Sequence, residues 1–124
     1  MADLPEHART ELVSTARTVV GDELRSVTYF TPDAVEQLYL RDDLTANADL
    51  VGFADVERMG FRSRADYEDS ELGEYQFTLR AFENGYLVRV IVDGRGAFVT
   101  TDEMSLSRFE ELHAALSRLL DGFV

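Results

Sequence analysis

The sequence of 124 residues contains no cysteine, no lysine and no tryptophan, and it has only two histidines. Because cysteine is missing, disulfides, thiolate nucleophiles, zinc fingers and iron–sulfur clusters are all excluded. Two histidines are too few to build a histidine-rich metal cage. We therefore expect no metal site and no cofactor.

Long apolar runs are missing as well. No stretch approaches the roughly 18 consecutive apolar residues of a membrane-spanning helix. The first residues, MADLPEHARTELV, lack the basic region and the apolar run of a secretory signal. We therefore expect a cytoplasmic protein with no membrane association.

The charge balance is strongly one-sided. Aspartate and glutamate number 24 against 12 basic residues, all of them arginine, and the formal net charge is −12. Such self-repulsion destabilises a compact domain unless salt screens it, and the Debye length falls to about 3 Å in molar salt. Lysine stems would also add apolar surface that high salt drives towards association. The composition therefore resembles that of haloarchaeal proteins and predicts a halophilic source.

The same acidity argues against nucleic acid as a partner. Sequence-independent binding to nucleic acid needs clustered lysine and arginine to displace counterions. Here the arginines are scattered, and almost every one has an acid within a few residues. We expect no nucleic-acid binding.

The length and the 45% share of hydrophobic residues suit a single domain, to which we assign residues 1–124. Helical spacing of apolar residues, β-branched runs and glycine-bearing turns predict its elements. In chain order they are a helix over about 5–24, strands over about 25–30 and 37–41, a helix over about 45–65, strands over about 74–82, 86–92 and 97–101, and a helix over about 105–121. Residues 32–36 form either a turn or a short helix.

The stretch RAFENGYLVRVIVDGRGAFVTTDE, residues 80–103, predicts the three-stranded meander. Asn84-Gly85 is a preferred two-residue hairpin turn, because both central residues need positive φ. DGRG, residues 93–96, can in principle form a backbone anion nest, but a phosphate loop is followed by a helix and here a strand follows. We therefore interpret DGRG as the second turn of the meander, and its register stays open.

A turn centred on Asn84-Gly85 pairs Arg80 directly with Arg89, and like charges opposite each other cost stability. Acids from the covering helix or loop, such as those in residues 66–74, are one source of compensation. An anionic ligand or an acidic partner surface is the other. Arg80 and Arg89 are therefore the candidate binding residues.

Both faces of the meander are informative. A face that mixes arginine with aromatic and aliphatic groups is either a helix-covered layer or an oligomer interface. The apolar residues on the face of the two arginines are Phe82, Leu87 and Ile91. The opposite face is wholly apolar and is predicted to be the core face, formed by Tyr75, Phe77, Leu79, Ala81, Val88, Val90 and Val92.

No catalytic constellation is predicted. Carboxylate pairs at Asp42-Asp43 and Asp102-Glu103 can hold Mg²⁺ or exchange protons, but such pairs arise by chance in so acidic a chain. The two histidines have no partner at a telling spacing, and no serine lies in a nucleophile motif. We therefore assign no catalytic residue.

The predicted order of elements is helix, two strands, helix, three strands, helix. It indicates the α+β class, a single-domain sandwich with a mostly antiparallel five-stranded sheet and helices packed on it. With the meander ENGYLVRVIVDGRGAFVTTD feeding a terminal amphipathic helix, the order resembles roadblock/LC7 and broader profilin-like domains, with PAS and GAF domains as relatives in outline. It is also similar to a family of small haloarchaeal proteins of uncharacterised activity. The roadblock/LC7 resemblance implies dimers that regulate small GTPases or serve as signalling adaptors.

These features favour a non-catalytic interaction or regulatory module that forms a homodimer and binds a protein partner. The alternative is a small-molecule-binding protein or an enzyme that holds an anionic ligand through Arg80 and Arg89. A transcription factor is disfavoured, because no helix-turn-helix pattern with a basic recognition helix is visible.

Removing salt should unfold the chain. When KCl is lowered from molar to millimolar concentration, the repulsion among 24 carboxylates is no longer screened. We expect the far-ultraviolet circular dichroism of the helices to be lost and to return when KCl is restored. A fold that keeps its circular dichroism in dilute buffer contradicts the halophilic assignment.

Overall fold

The computed structural model describes residues 4–46, 48–49, 52–67 and 69–123 of the chain. In chain order its elements are α1 (Glu6–Val20), a 3₁₀ turn (Gly21–Glu23), β1 (Leu24–Phe30), β2 (Val35–Leu40), α2 (Phe53–Arg58), α3 (Gly60–Asp66), β3 (Thr78–Phe82), β4 (Gly85–Val92), β5 (Arg95–Thr101) and α4 (Leu106–Gly122). The predicted α+β class with a five-stranded antiparallel sheet is confirmed. No helix in the described part of the chain is long and apolar enough to cross a membrane.

The strand order across the sheet is β2-β1-β5-β4-β3. β1 and β2 form one antiparallel hairpin, and β3, β4 and β5 form the predicted meander. The two units join where β1 pairs with β5, again antiparallel. β2 and β3 are therefore the two edges of the sheet.

The main hydrophobic core lies where α1 and α4 pack on one face of the sheet and on each other. Both helices place buried apolar residues at helical spacing, which gives each of them one apolar stripe. The stripes consist of Ala8, Leu12, Ala16 and Val20 on α1, and of Phe109, Leu112, Leu116 and Leu120 on α4.

A smaller apolar cluster lies on the opposite face of the sheet, under α2 and α3. Its buried members are Phe30, Ala54, Leu87, Ile91 and Phe98. Helices as short as α2 and α3 are unstable alone, so this packing stabilises them. β5 contributes Phe98 to this cluster and Val99 to the main core, which fixes the register that the sequence left open.

The helix expected over 45–65 is in fact the two short helices α2 and α3, and positions 47, 50 and 51 lie outside the described residues. Gly52 has a φ of 82°, outside the helical range, so α2 begins only after it. The break between the helices follows Met59. A Cβ on Gly60, the next residue, would overlap the guanidinium of Arg89. The second of the two helices therefore passes directly over a side chain of the sheet.

β3 begins at Thr78 rather than at residue 74. The hydroxyl of Tyr75 donates a hydrogen bond of 3.0 Å to the carbonyl oxygen of Arg89, in place of further ladder pairing. Phe77 turns the other way and stacks on His113, with ring centroids 4.2 Å apart. The predicted core face is therefore wrong for Tyr75, which packs against the smaller cluster, whereas Phe77 packs against the main core as predicted.

Leu79 and Ala81 were also expected in the core, and the structure places both at the exposed edge of the sheet. α4 packs against β4, which leaves the outermost strand, β3, uncovered on that face. The core face that the sequence predicted is therefore correct for Val88 and Val90, which are fully buried, and wrong for this edge.

The β3–β4 hairpin turns at Glu83-Asn84 rather than at Asn84-Gly85, because Phe82 pairs with Gly85. Gly85 is the first residue of β4, where the carbonyl oxygen of Thr101 occupies the space that a Cβ would need. The glycine therefore serves the close approach of two strands and not the turn itself.

The observed register separates the two candidate arginines. Arg80 lies opposite Leu87, and Arg89 lies opposite Thr78. The predicted direct pairing of Arg80 with Arg89 is wrong by two residues. Because side chains alternate along a strand, a shift of two keeps both arginines on the same face.

Residues 31–34 form a turn rather than a short helix. The Thr31 hydroxyl accepts a hydrogen bond of 3.1 Å from the amide of Ala34, and β2 begins at the next residue. A side chain that bonds its own backbone in this way competes with helix formation.

The two glycines of DGRG should respond differently to alanine. Gly94 lies in the turn with open space around it, whereas a Cβ on Gly96 would overlap the ring of Phe30. We expect Gly96→Ala to lower the free energy of unfolding by about 1–3 kcal/mol, because the core is overpacked there. Gly94→Ala is the matched control and should change it little. Equal effects in urea unfolding would contradict this packing.

Candidate functional site

Arg80 and Arg89 meet at one carboxylate, that of Glu57 on α2. Arg80 Nε donates to Glu57 Oε2 at 2.7 Å, and Arg80 Nη2 donates to Oε1 at 3.3 Å. Arg89 Nη1 donates to the same Oε1 at 3.1 Å. We call these three residues the Glu57 cluster. The two arginines that the sequence singled out are therefore brought together by a residue that it did not.

The carboxylate of Glu57 is 2% exposed. A buried charge is tolerated only when it is paired and hydrogen-bonded, which both arginines achieve here. The sequence predicted compensating acids from the covering helix or loop, with residues 66–74 as an example, and the acid is Glu57 of the covering helix α2. The signal that could have identified Glu57 is helical spacing, because it lies three residues after the buried Ala54 and so shares the inward face of α2.

Arg89 is a fixed, internal member of the cluster, with a side chain only 7% exposed. Its Nη2 donates to the hydroxyl of Thr78 at 2.7 Å, and its guanidinium carbon lies 5.8 Å from the ring centroid of Tyr75. Gly60 of α3 closes over its guanidinium. Arg89 therefore joins the sheet to the helices that cover it, and it has no open side for a ligand.

Arg80 is the outward member of the cluster. Its side chain is 39% exposed, and it lies at the centre of the edge strand β3. The pKa of its guanidinium is raised above the usual value, chiefly because the side chain hydrogen-bonds to Glu57. Arg80 therefore presents a permanent positive charge at the edge of the sheet.

Exposed apolar side chains are found on β3 and on the helix that contacts Arg80. On α2 and just after it, Val56 is 48% exposed and Met59 is 62% exposed. On β3, Leu79 is 38% exposed and Phe82 is 55% exposed. We call these four residues and the free edge of β3 the β3 surface. Leu79 alternates with Arg80 along β3 and so faces the other side of the sheet, whereas Phe82 faces the same side as Arg80. Exposed apolar side chains beside a free strand edge are typical of a protein interface.

The predicted interface residues do not all reach this surface. Leu87 and Ile91 are 1% and 4% exposed and lie beneath α2 and α3, as in the helix-covered alternative. Phe82 alone of the three is exposed, and its ring stacks on Phe53 with centroids 6.4 Å apart and an interplanar angle of 4°.

The other edge strand, β2, is blocked in several ways. Leu38 is an extra residue in the pairing of β2 with β1, so the edge carries a β-bulge. Arg9 of α1 forms an ion pair with Glu36, and Gln37 donates a hydrogen bond of 2.9 Å to the carbonyl of Ala48 in the following loop. Bulges, charges and covering loops are the devices that keep a strand edge from pairing. β3 has no bulge in its pairing with β4.

The acid pairs of the sequence are partners of arginine. Arg41 donates from Nε to Asp43 and from Nη1 to Asp102, both at 2.6 Å. These bonds, that to Asp102 first, raise the pKa of Arg41, and the bond from Arg41 lowers the pKa of the Asp43 carboxyl. Within the described residues, no group of three or more histidine or acidic side chains is placed to hold a metal ion.

Replacing Glu57 should destabilise the fold far more than replacing a neighbouring acid. Glu57→Ala leaves Arg89 buried without its carboxylate, so we expect a loss of about 3–5 kcal/mol in the free energy of unfolding. Asp55→Ala is the matched control, because Asp55 lies on the same helix with an 88% exposed side chain. Urea unfolding in molar KCl measures both. Similar losses in the two variants would show that the cluster is not a special support.

The chain matches the family model described as a domain of unknown function (DUF7522) over residues 10–121. No curated protein sequence matches it. Among solved structures it is similar to Myxococcus xanthus MglB, with 14% identity, a TM-score of 0.65, and coverage of 100% of this chain and 97% of that one. It is also similar to the gliding protein MglB of Thermus thermophilus, with 13% identity, a TM-score of 0.58, and coverage of 98% of this chain and 94% of that one.

A third similar structure is the roadblock/LC7 domain of Streptomyces avermitilis, with 14% identity, a TM-score of 0.55, and coverage of 84% of this chain and 87% of that one. At this level of identity the likeness shows the fold, and the resemblance to roadblock/LC7 domains predicted from the order of elements is confirmed. The chain therefore belongs to the DUF7522 family and has the roadblock/LC7 fold.

Proposed function

We propose that this protein is a non-catalytic regulatory module that forms a homodimer through its β3 surface and binds a protein partner in the cytoplasm of a halophile. The observation that carries the proposal is the contrast between the two sheet edges. β2 is bulged and covered, whereas β3 is regular, is flanked by exposed apolar side chains and, among the described residues, has no strand paired on its outer side.

An unpaired strand edge offers a row of free amide and carbonyl groups that a second strand can complete. When the second strand is β3 of another copy, the two sheets join into one. The apolar side chains of α2 and β3 are then removed from water, which supplies the driving force. In such a two-fold dimer the same patch serves both copies, so a single exposed surface is sufficient.

The structural neighbours support assembly of copies. One of them carries the description "MglB with tetrameric arrangement", with 12% identity to this chain and a TM-score of 0.67. Domains of this fold can therefore associate with one another. The roadblock/LC7 resemblance also supports a regulatory role, since the family implies regulators and signalling adaptors.

A second candidate function is the binding of an anionic ligand through Arg80 and Arg89. The partial exposure of Arg80 favours it. The burial of Arg89 and the presence of Glu57 between the arginines weigh against it, because a ligand that reached both would displace a buried carboxylate. An anion that raises the melting temperature of the wild type but not of Arg80→Ala would favour this candidate.

Introducing a charge into the β3 surface should break the dimer. Phe82→Asp puts a carboxylate where an apolar side chain is expected to be buried. We therefore expect the dimerisation constant to fall at least tenfold, which corresponds to about 1.4 kcal/mol in the free energy of dimerisation. Light scattering in molar KCl measures the mass of the assembly. Leu106→Asp is the matched control, because Leu106 is 66% exposed on α4 and undergoes the same change of charge.

Two results would contradict the homodimer. If light scattering gives the mass of a monomer for the wild-type chain in molar KCl, the proposed homodimer is wrong. A dimer that tolerates Phe82→Asp as well as it tolerates Leu106→Asp would place the interface elsewhere on the chain.

A further inference from the structure

The Glu57 cluster holds more positive than negative charge. Glu57 supplies its only carboxylate, and both oxygens already accept hydrogen bonds from arginine. One positive charge is therefore left uncompensated within the cluster. It lies on the outward side, because Arg80 is 39% exposed whereas Arg89 is 7% exposed.

The other arginine network of the sheet has the opposite balance. Arg25 contacts Asp49 at 2.9 Å, and Arg41 contacts Asp43 and Asp102 at 2.6 Å each. Acids outnumber arginines there, as they do in the whole chain of net charge −12. An excess of positive charge at the β3 edge is thus a local departure from the composition, and it lies where we expect a second copy to dock.

Pairing two copies brings these excess charges together. β3 runs from Thr78 to Phe82, so Arg80 is its central residue. Full-length antiparallel pairing of two identical strands about a two-fold axis sets each Arg80 opposite Arg80 of the second copy. Directly opposite residues have Cβ atoms about 4.5–5.5 Å apart, and like charges at that spacing destabilise a sheet.

We propose that a small inorganic oxyanion binds on this two-fold axis, between the two Arg80 guanidiniums, and stabilises the dimer. The inference rests on the proposed homodimer. Among the described residues, Nη1 of Arg80 has no hydrogen-bond partner, so each copy offers an unused donor group there. A planar guanidinium matches the oxygens of sulfate or phosphate in geometry as well as in charge. The anion thereby converts a repulsive contact into a bridged one.

The sulfate dependence of dimerisation tests this site. Sedimentation equilibrium is measured in molar KCl with increasing millimolar potassium sulfate, for the wild type, Arg80→Gln and Arg118→Gln. Arg118→Gln is the matched control, because it removes the same charge from an exposed position on α4. By mass action, we expect the wild-type dimerisation constant to rise with an uptake of about one sulfate per dimer. Arg118→Gln should behave alike, and Arg80→Gln should show no dependence.

The failures are distinguishable. A sulfate dependence of equal slope in the wild type and in Arg80→Gln identifies a general salt effect and overturns the anion site. A wild-type dimer that ignores sulfate also overturns it and leaves the homodimer intact. A wild type that is monomeric in every salt overturns the homodimer and the anion site together.

A crystallographic measurement decides the remaining case, in which Arg80→Gln does not dimerise at all. Crystals of the wild-type dimer are soaked in potassium selenate, an isosteric analogue of sulfate with an anomalous selenium signal. A peak on the two-fold axis within hydrogen-bond distance of both Arg80 side chains supports the site. Its absence overturns the inference.

Discussion

The layer formed by α2 and α3 depends on one buried carboxylate, that of Glu57, which accepts hydrogen bonds from two arginines. Glu57 reaches the sheet from a helix of six residues, which is too short to be stable in isolation. Its bonds to Arg80 and Arg89 fix how that helix lies, and Gly60 allows the chain to pass directly over the second guanidinium. Ion pairs therefore position α2 on the sheet, whereas long apolar stripes position α1 and α4.

The two faces of the sheet are therefore stabilised by different forces. Under α1 and α4 the contacts are apolar, and the removal of apolar surface from water stabilises them. Under α2 and α3 a small apolar cluster is combined with buried ion pairs, whose net contribution depends closely on their geometry. These ion pairs also lie close to the open edge of the sheet, because Arg80 belongs to β3. The proposed dimer surface and the buried ion pairs therefore lie in the same part of the domain.

The sequence predicted the features that arise from local periodicity: the terminal helices, the meander, the α+β class and the roadblock-like order of elements. It did not predict the features that depend on contacts between residues far apart in the chain. Gly60 leaves room for the guanidinium of Arg89 beneath it, and Gly85 leaves room for the carbonyl of Thr101. Glu57 was missed because helical spacing indicates only that it faces inward, and not that two arginines of the sheet lie beneath it.

Met59 is the single residue between α2 and α3, and its side chain is exposed to solvent. Glu57 and Gly60 contact the arginines of the sheet, so a substitution at either position disturbs the packing beneath α2 and α3. Val56 and Met59 lie beside them along the chain and point to solvent. Substitutions at these two outward positions leave the Glu57 cluster intact, so the exposed side of this segment can vary in sequence while the fold is kept.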